Sequence, residues 1–110
     1  MNYHNYPIAA KSTTPSTGNA WASVAAAAGV AYQLVHVAGN GSAHAATVSV
    51  LFGTTEKLRY ISVASGNGVT EMFGLDGPIT ATNEALVIHT TSQPGGAGCS
   101  ANMLYRIVKI

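Results

Sequence analysis

The chain has 110 residues, the length of one domain, a formal net charge of +1, and a charged fraction of 8%, against about 25% in ordinary soluble domains. This charge excludes the basic surface that nucleic acid or anionic lipid requires, and 47% hydrophobic residues, interrupted throughout by polar ones, exclude a membrane-spanning composition. The single cysteine excludes an internal disulfide framework.

The first twenty residues differ in character from the rest of the chain. They begin with tyrosine and histidine rings and continue into a Ser/Thr/Gly stretch with two prolines, which predicts an extended N-terminal arm over residues 1–20. Residues 21–110 then form the β-sandwich domain. Because Tyr3 and Tyr6 are costly to leave in water, we expect the arm to lie against its own domain or against a neighbouring subunit.

Strand patterns dominate the chain after residue 20. The alanine-rich segment from Trp21 to Val30 is too short to stand alone as a helix in water, which favours a strand or a loop. Six alternating runs rich in Val, Ile, Thr and Tyr then predict strands. These are Val30–Ala38, Ala46–Phe52, Lys57–Ala64, Gly68–Leu75, Glu84–Thr91 and Asn102–Ile110.

The alternation within each run predicts which side chains share a face. In the first run it places Tyr32, Leu34 and His36 on one face and Gln33, Val35 and Val37 on the other. In the second it places Val48, Val50 and Phe52 together. Asn-Gly and Asp-Gly pairs between the runs suit tight hairpin turns, so Asn40-Gly41 should join two strands directly. Short strands with turns at this spacing predict an all-β antiparallel sandwich or barrel.

The last run is apolar on both faces. Leu104, Val108 and Ile110 oppose Met103, Tyr105 and Ile107. A strand with one wet face alternates more cleanly, so a second covered face is expected, supplied by another subunit, by the arm or by loops over a central strand. A chain with few charges also has little protection against association, which favours a surface that is covered in the working state.

The residues that could carry chemistry do not form a recognisable catalytic pattern. His36 and His44 flank the predicted hairpin, which indicates a hydrogen-bonded surface pair more than a metal site. Cys99 follows a glycine-rich stretch, but no base is identifiable, so a buried structural thiol is favoured over a nucleophile. A phosphate loop at residues 39–41 fails because strand residues follow the glycines and no lysine is present. We therefore expect no enzyme, no metal and no cofactor.

Three basic residues allow two interpretations. Lys57 and Arg59 share one strand face, and Arg106 is expected nearby as a third exposed charge. Together they form either a small basic patch for an acidic partner or protection against pairing at a sheet edge.

The order of these features over residues 21–110 carries a resemblance. A strand "YQLVHV" leads through "NG" to "AATVSVLFG", then to "KLRYISVAS", to "GPI" and to "ALVIHTT". This order resembles small jelly-roll-like β-sandwich domains in the virions of tailed bacteriophages. The resemblance implies a structural or adhesive protein, and there are no catalytic residues to carry over.

With so little chain beyond the module, the resemblance is greatest to a capsid decoration, or cement, protein. It implies a homotrimer on the outer surface of the phage head, bound to the major capsid protein, with no nucleic acid or membrane partner. The expected capsid or subunit contacts are Tyr3, Tyr6, Pro7, Ile8 and Trp21. The alternative is a carbohydrate-binding or adhesion module at the virion surface, in a head fibre or tail component. Sugar sites need an exposed aromatic platform, whereas Trp21 is expected in the core or an interface.

Overall fold

The computed structural model of the chain describes residues 6–13, 18–41, 45–62, 68–92 and 98–109. These residues form eight β-strands. The strands are β1 (Ile8–Ser12), β2 (Asn19–Val24), β3 (Val30–Asn40), β4 (Ala46–Phe52), β5 (Thr55–Ser62), β6 (Val69–Met72), β7 (Leu86–Ser92) and β8 (Ser100–Lys109). In these ranges no helix is long and apolar enough to cross a membrane.

The strands build two four-stranded antiparallel sheets packed face to face. One sheet has the order β1-β8-β3-β6 and the other has the order β2-β7-β4-β5. Consecutive strands lie in different sheets, except β4 and β5, which form a hairpin within one sheet. This connectivity is that of a jelly roll, so the predicted all-β antiparallel sandwich is confirmed.

The observed strands differ from the predicted ones only at their ends, apart from β1, which lies within the predicted arm. The ambiguous alanine-rich segment divides: its first part belongs to β2, and residues 25–29 form a loop, so the strand-or-loop interpretation is confirmed.

The core lies between the two sheets and is made of alternate residues of each strand. Val48, Val50 and Phe52 of β4 are buried in it, as their alternation predicted. The two sheets are in close contact at Gly39, where an added Cβ would overlap the side chains of Val48 and Thr90. A side chain at that position would therefore push the two sheets apart.

A β-bulge in β3 overturns part of the predicted face assignment. The register with β8 shifts between Leu34 and His36, so Val35 is an extra residue and every side chain after it changes face. His36 consequently pairs with Met72 on the outer face, while Val37 is buried in the core. The prediction that His36 shares a face with Tyr32 and Leu34 was wrong.

The predicted hairpin at Asn40-Gly41 is also corrected. β3 and β4 belong to different sheets, so this connection crosses the sandwich instead of pairing its two strands. His36 therefore has no cross-strand neighbour in β4, and His44 lies outside the described residues. The hairpin of the jelly roll is at Gly53-Thr54, where Gly53 has a φ of 63°, in the left-handed region that glycine tolerates.

Part of the predicted arm is an edge strand. β1 runs antiparallel to β8, with Ile8 opposite Arg106. Just before it, the Tyr6 hydroxyl donates to the Lys109 carbonyl (3.3 Å), and the Ile107 N–H donates to the Pro7 carbonyl (3.2 Å). The described part of residues 1–20 thus includes a segment held along the chain's own sheet, while the division at residue 20 into an arm and a domain remains a prediction.

The segment between β6 and β7 lies along the free edge of β3. The Leu34 N–H donates to the Pro78 carbonyl, and the Thr80 N–H donates to the Tyr32 carbonyl, both at 2.9 Å. We call residues 73–80 the covering loop. It approaches β3 so closely that a Cβ at Gly77 would overlap the Leu34 carbonyl.

Two buried polar side chains attach the covering loop to the sheet. Gln33 Nε2 donates to the carbonyls of Leu75 (2.9 Å) and Gly77 (3.2 Å). Arg106 Nη1 donates to the Gly74 carbonyl (2.9 Å) and to Gln33 Oε1 (3.3 Å). Arg106 is therefore not the exposed charge that was expected near Lys57 and Arg59, because it is buried in the other sheet.

Candidate functional site

The outer face of the β2-β7-β4-β5 sheet carries the most distinctive cluster of exposed side chains. The strand register places Trp21 opposite His89, His89 opposite Ser49, and Ser49 opposite Arg59. These four residues form one row across all four strands. A parallel row contains Asn19, Thr91, Thr47 and Ile61. The face thus has an aromatic residue at the β2 edge, and both a charged residue, Arg59, and an exposed apolar residue, Ile61, at the β5 edge.

The aromatic part is a stacked pair of rings. The ring centroids of Trp21 and His89 are 3.6 Å apart and the planes differ by 6°. His89 Nε2 lies 2.9 Å from Asn19 Oδ1 and 3.3 Å from Thr91 Oγ1, which fixes the orientation of the imidazole. Trp21 is nevertheless 55% exposed, so it offers a flat apolar surface to solvent. The expectation that Trp21 lies in the core is wrong, and an interface role remains a prediction.

The electrostatics of the pair favour an uncharged imidazole. Partial burial lowers the pKa of His89 below its ordinary value, because desolvation disfavours the charged ring. The stacked surface is therefore neutral at neutral pH.

The charged part of the row is a hydrogen-bonded triad. The Ser49 hydroxyl donates to Glu56 Oε1 (2.6 Å), and Arg59 Nε donates to the same oxygen (3.0 Å). The Ser49 hydrogen bond, followed by the Arg59 hydrogen bond, lowers the pKa of the Glu56 carboxyl, so it stays ionised. Both bonds use Oε1, which leaves Oε2 outside them. The opposite charges of Glu56 and Arg59 keep this end of the face close to neutral.

The catalytic and metal-binding residues considered from the sequence do not come together as a site among the described residues. Cys99 is buried, and its thiol donates to the Thr90 carbonyl at 3.4 Å. Burial raises the pKa of the Cys99 thiol, which disfavours the reactive thiolate. No three His, Cys, Asp or Glu side chains of the described ranges lie close enough together to hold a metal.

The predicted contact residues are divided between two faces. Ile8, which is 53% exposed, belongs to β1 on the outer face of the β1-β8-β3-β6 sheet, next to Tyr6 and Pro7. Trp21 belongs to the opposite outer face, and Tyr3 lies outside the described residues. A single flat partner cannot cover Ile8 and Trp21 together.

The support of Trp21 by His89 and Asn19 was not predicted from the sequence. Their alternation marks each of them as outward-facing, but the pairing of β2 with β7 joins residues almost seventy positions apart. No local pattern encodes that register, so the stacked pair emerges only from the fold.

A second, shallower feature lies on the other sheet. An open depression of about 280 Å³ is formed where β3, β6 and β8 meet. Its lining residues are small or polar and carry no charge: Ala38, Gly39, Asn40, Gly68, Val69, Thr70, Ser100 and Asn102. Among the described residues, its lining contains no aromatic or ionised group that could select a ligand.

Comparisons with known proteins bear on the fold. No protein-family model and no curated protein matches the chain. Among solved structures, the coat protein of Tobacco streak virus is similar over 96% of this chain and 87% of that chain, with a TM-score of 0.55 and 8% identity. A family 35 carbohydrate-binding module from an environmental isolate is similar over 86% of this chain and 72% of that chain, with a TM-score of 0.44 and 13% identity.

A CBM36 carbohydrate-binding module in complex with calcium and xylotriose is similar over 98% of both chains, with a TM-score of 0.39 and 13% identity. At 8% identity, the similarity to the coat protein shows a shared jelly-roll-like fold and nothing finer. The fold that the resemblance to virion proteins implied is therefore confirmed. The narrower assignment to phage decoration proteins remains a proposal, which depends on the residues of this chain.

Proposed function

We propose that the chain is a structural virion protein that decorates the outer surface of a phage head and stabilises the shell. The observation that supports this most is the exposure of large apolar side chains on both outer faces of the sandwich. Ile8 and Met72 on one face, and Trp21 and Ile61 on the other, are each more than half exposed. On a chain with 8% charged residues, such surfaces favour burial in an assembly.

The proposed partner is the major capsid protein, and the proposed oligomer is a homotrimer on the virion. Bound subunits stabilise the head by mass action, since they favour the assembled lattice over its alternatives. The chain acts by binding, without a catalytic role and without nucleic acid or a membrane.

Native mass spectrometry and co-sedimentation with heads of the encoding phage test the proposal. A trimer that adds to heads in fixed stoichiometry is the expected result. A monomer that stays in the supernatant at all head concentrations would overturn it.

The contribution of the arm to head binding is best tested with a substitution that leaves β1 in place. Deleting residues 1–16 would remove β1 and expose the edge of β8, so lost binding would not separate contact from folding. Ile8→Ser keeps the strand and removes an exposed apolar side chain. We expect it to weaken head binding, while the matched change Ile61→Ser, on the other sheet, has a smaller effect. The reverse order would assign the capsid contact to the β2-β7-β4-β5 sheet.

A second candidate function is carbohydrate binding at the virion surface. The exposure of Trp21 on a fixed imidazole favours it, because an aromatic platform flanked by hydroxyl and amide groups suits a sugar ring. Its test is whether the chain binds any immobilised saccharide. Failure to bind a broad panel would remove this candidate and leave the decoration proposal unaffected.

A further inference from the structure

The outer face of the β2-β7-β4-β5 sheet has the parts of an extended ligand site. We call the stacked Trp21 and His89 rings the platform, and Ser49, Glu56 and Arg59 the triad. Ser49 and Arg59 lie on the same row as the platform, because the register runs Trp21, His89, Ser49, Arg59, and Glu56 reaches them from the next row. The platform spans β2 and β7 and the triad spans β4 and β5. At about 4.8 Å between strands, His89 and Ser49 are direct neighbours, and Trp21 is roughly 10–14 Å from the triad.

The platform is fixed before a ligand arrives. The imidazole of His89 is oriented by Asn19 and Thr91. It stacks on the indole of Trp21, with the two ring centroids 3.6 Å apart. An indole held in this way loses little conformational freedom on binding, which removes part of the ordering cost of association. Its open face is apolar and flat.

A pyranose ring fits such a surface. The axial hydrogens of a sugar with mostly equatorial hydroxyls make one ring face apolar, and that face can lie on an indole, whose π-surface is electron-rich. The hydroxyls point sideways from the ring. Asn19, Thr91 and Thr47 line one side of the platform with groups that can hydrogen-bond them.

The triad can form directional hydrogen bonds with a ligand, and its charges determine which ligand charge is favoured. The Glu56 carboxylate stays ionised and keeps Oε2 outside its two intramolecular bonds, so it can accept from sugar hydroxyls. The paired charges of Glu56 and Arg59 cancel, so the face does not attract a strongly anionic ligand. At roughly 10–14 Å, the distance of the triad from the indole of Trp21 exceeds the width of one sugar ring.

We propose that this face binds a neutral oligosaccharide, with one sugar ring stacked on Trp21 and a later ring hydrogen-bonded to Glu56 and Arg59. The inference rests on the second candidate function and deepens it by naming the residues, the charge class and the minimum length of the ligand. A sugar is favoured over a protein partner by the row of Asn19, Thr91 and Thr47 on one side of the platform, although the row on the other side carries Val87 and Leu51 beside Ser23.

The test uses calorimetric titration with neutral trisaccharides of glucose, galactose, mannose and xylose, their monosaccharides, and an acidic trisaccharide of galacturonic acid. Trp21→Ala should weaken binding of the best neutral trisaccharide about tenfold or more, as expected for a central tryptophan anchor. Met72→Ala is the matched control, because Met72 is a comparably exposed apolar residue on the opposite face and should leave binding unchanged.

Two further measurements distinguish the contribution of the triad from that of the platform. Glu56→Gln should weaken trisaccharide binding about tenfold and leave monosaccharide binding unchanged, because only a longer ligand reaches the triad. Trp21 is the single tryptophan, so its fluorescence reports directly on the platform and should change on titration.

The outcomes distinguish the inference from the function on which it rests. Trisaccharide binding that ignores Trp21→Ala and leaves the fluorescence unchanged would place the sugar site elsewhere and overturn the inference, with the second candidate function intact. Stronger binding of the acidic trisaccharide would overturn the neutral class. Absence of binding to every saccharide would remove the second candidate function itself. Loss of head binding in Trp21→Ala without any saccharide binding would assign the platform to a protein contact.

Discussion

The two outer faces of the sandwich differ in whether their hydrogen-bonded polar side chains are buried or exposed. On the β1-β8-β3-β6 sheet, Gln33 and Arg106 are buried beneath the covering loop and bond its carbonyl groups. On the β2-β7-β4-β5 sheet, His89 and Glu56 bond their neighbours on a face that no loop of the described residues covers, where Trp21 is largely exposed.

We expect this difference to separate substitutions that affect stability from substitutions that affect the proposed binding. When a buried polar group loses its partner, the protein loses stability equal to the cost of desolvating that group, whereas an exposed group can hydrogen-bond to water instead. Changes under the covering loop should therefore lower the free energy of unfolding. Changes on the platform should alter binding and leave that free energy nearly unchanged.

The largest expected effect is on the covered face. Gly77→Ala would place a Cβ against the Leu34 carbonyl, so the covering loop must move away from β3 and give up its hydrogen bonds. We expect a loss of about 3 kcal/mol in the free energy of unfolding, measured by urea denaturation. Gly74→Ala, in the same loop, is the control. Its φ of 64° disfavours alanine, but the space is open, so about 1 kcal/mol is expected. Equal losses would contradict the close approach at Gly77.

A second effect tests the buried polar pair. Gln33→Ala removes two donors to the covering loop and an acceptor for Arg106, leaving the guanidinium with fewer partners. A loss of about 2–3 kcal/mol is expected. The double variant Gln33→Ala with Arg106→Met should lose less than the sum of the two single losses, since neither group is then left unpaired. Strict additivity in a double-mutant cycle would show that the two residues act independently.

On the exposed face, Trp21→Ala should change the free energy of unfolding by no more than about 1 kcal/mol, because the indole is largely in solvent already. Urea denaturation of this variant beside Gly77→Ala measures the contrast directly. A loss as large as that of Gly77→Ala would mean that the platform serves the fold, and its loss of ligand binding would then need another explanation.

The smallest effect concerns pH. The pKa of His89 is lowered in the folded protein, so the unfolded chain binds the proton more readily in the range below its ordinary value of about 6.5. The contribution of His89 to stability is present above that value and falls as pH decreases through the lower, folded pKa. The loss should be small because the ring is partly exposed. Urea denaturation at pH 7.5 and pH 5 should show a smaller pH dependence for His89→Gln than for the wild type, and identical dependence would exclude His89 as the cause.

The strands were predictable because alternation is local. β4 alternates without interruption, so its core residues could be assigned from the sequence. β3 could not be assigned in the same way, because its bulge after Leu34 depends on the register with β8, and a single extra residue exchanges the faces of His36 and Val37.

The connections and the site were harder to predict for a related reason. Asn-Gly marks a turn, but a turn at Asn40-Gly41 leads equally well to a partner strand or to the opposite sheet, and the choice depends on tertiary packing. Arg106 looked exposed because arginine usually is. Only the covering loop, contributed from elsewhere in the chain, makes its burial possible.

The pairing of β1 with β8 has a consequence for synthesis of the protein. Ile8 leaves the ribosome long before Arg106, its partner in the register, has been translated. The Gly53-Thr54 hairpin can close early, but the sheet containing β1 cannot be completed until β8 has left the ribosome. Nascent chains should therefore resist proteolysis only after β8 has emerged, because β1 has no native partner until then.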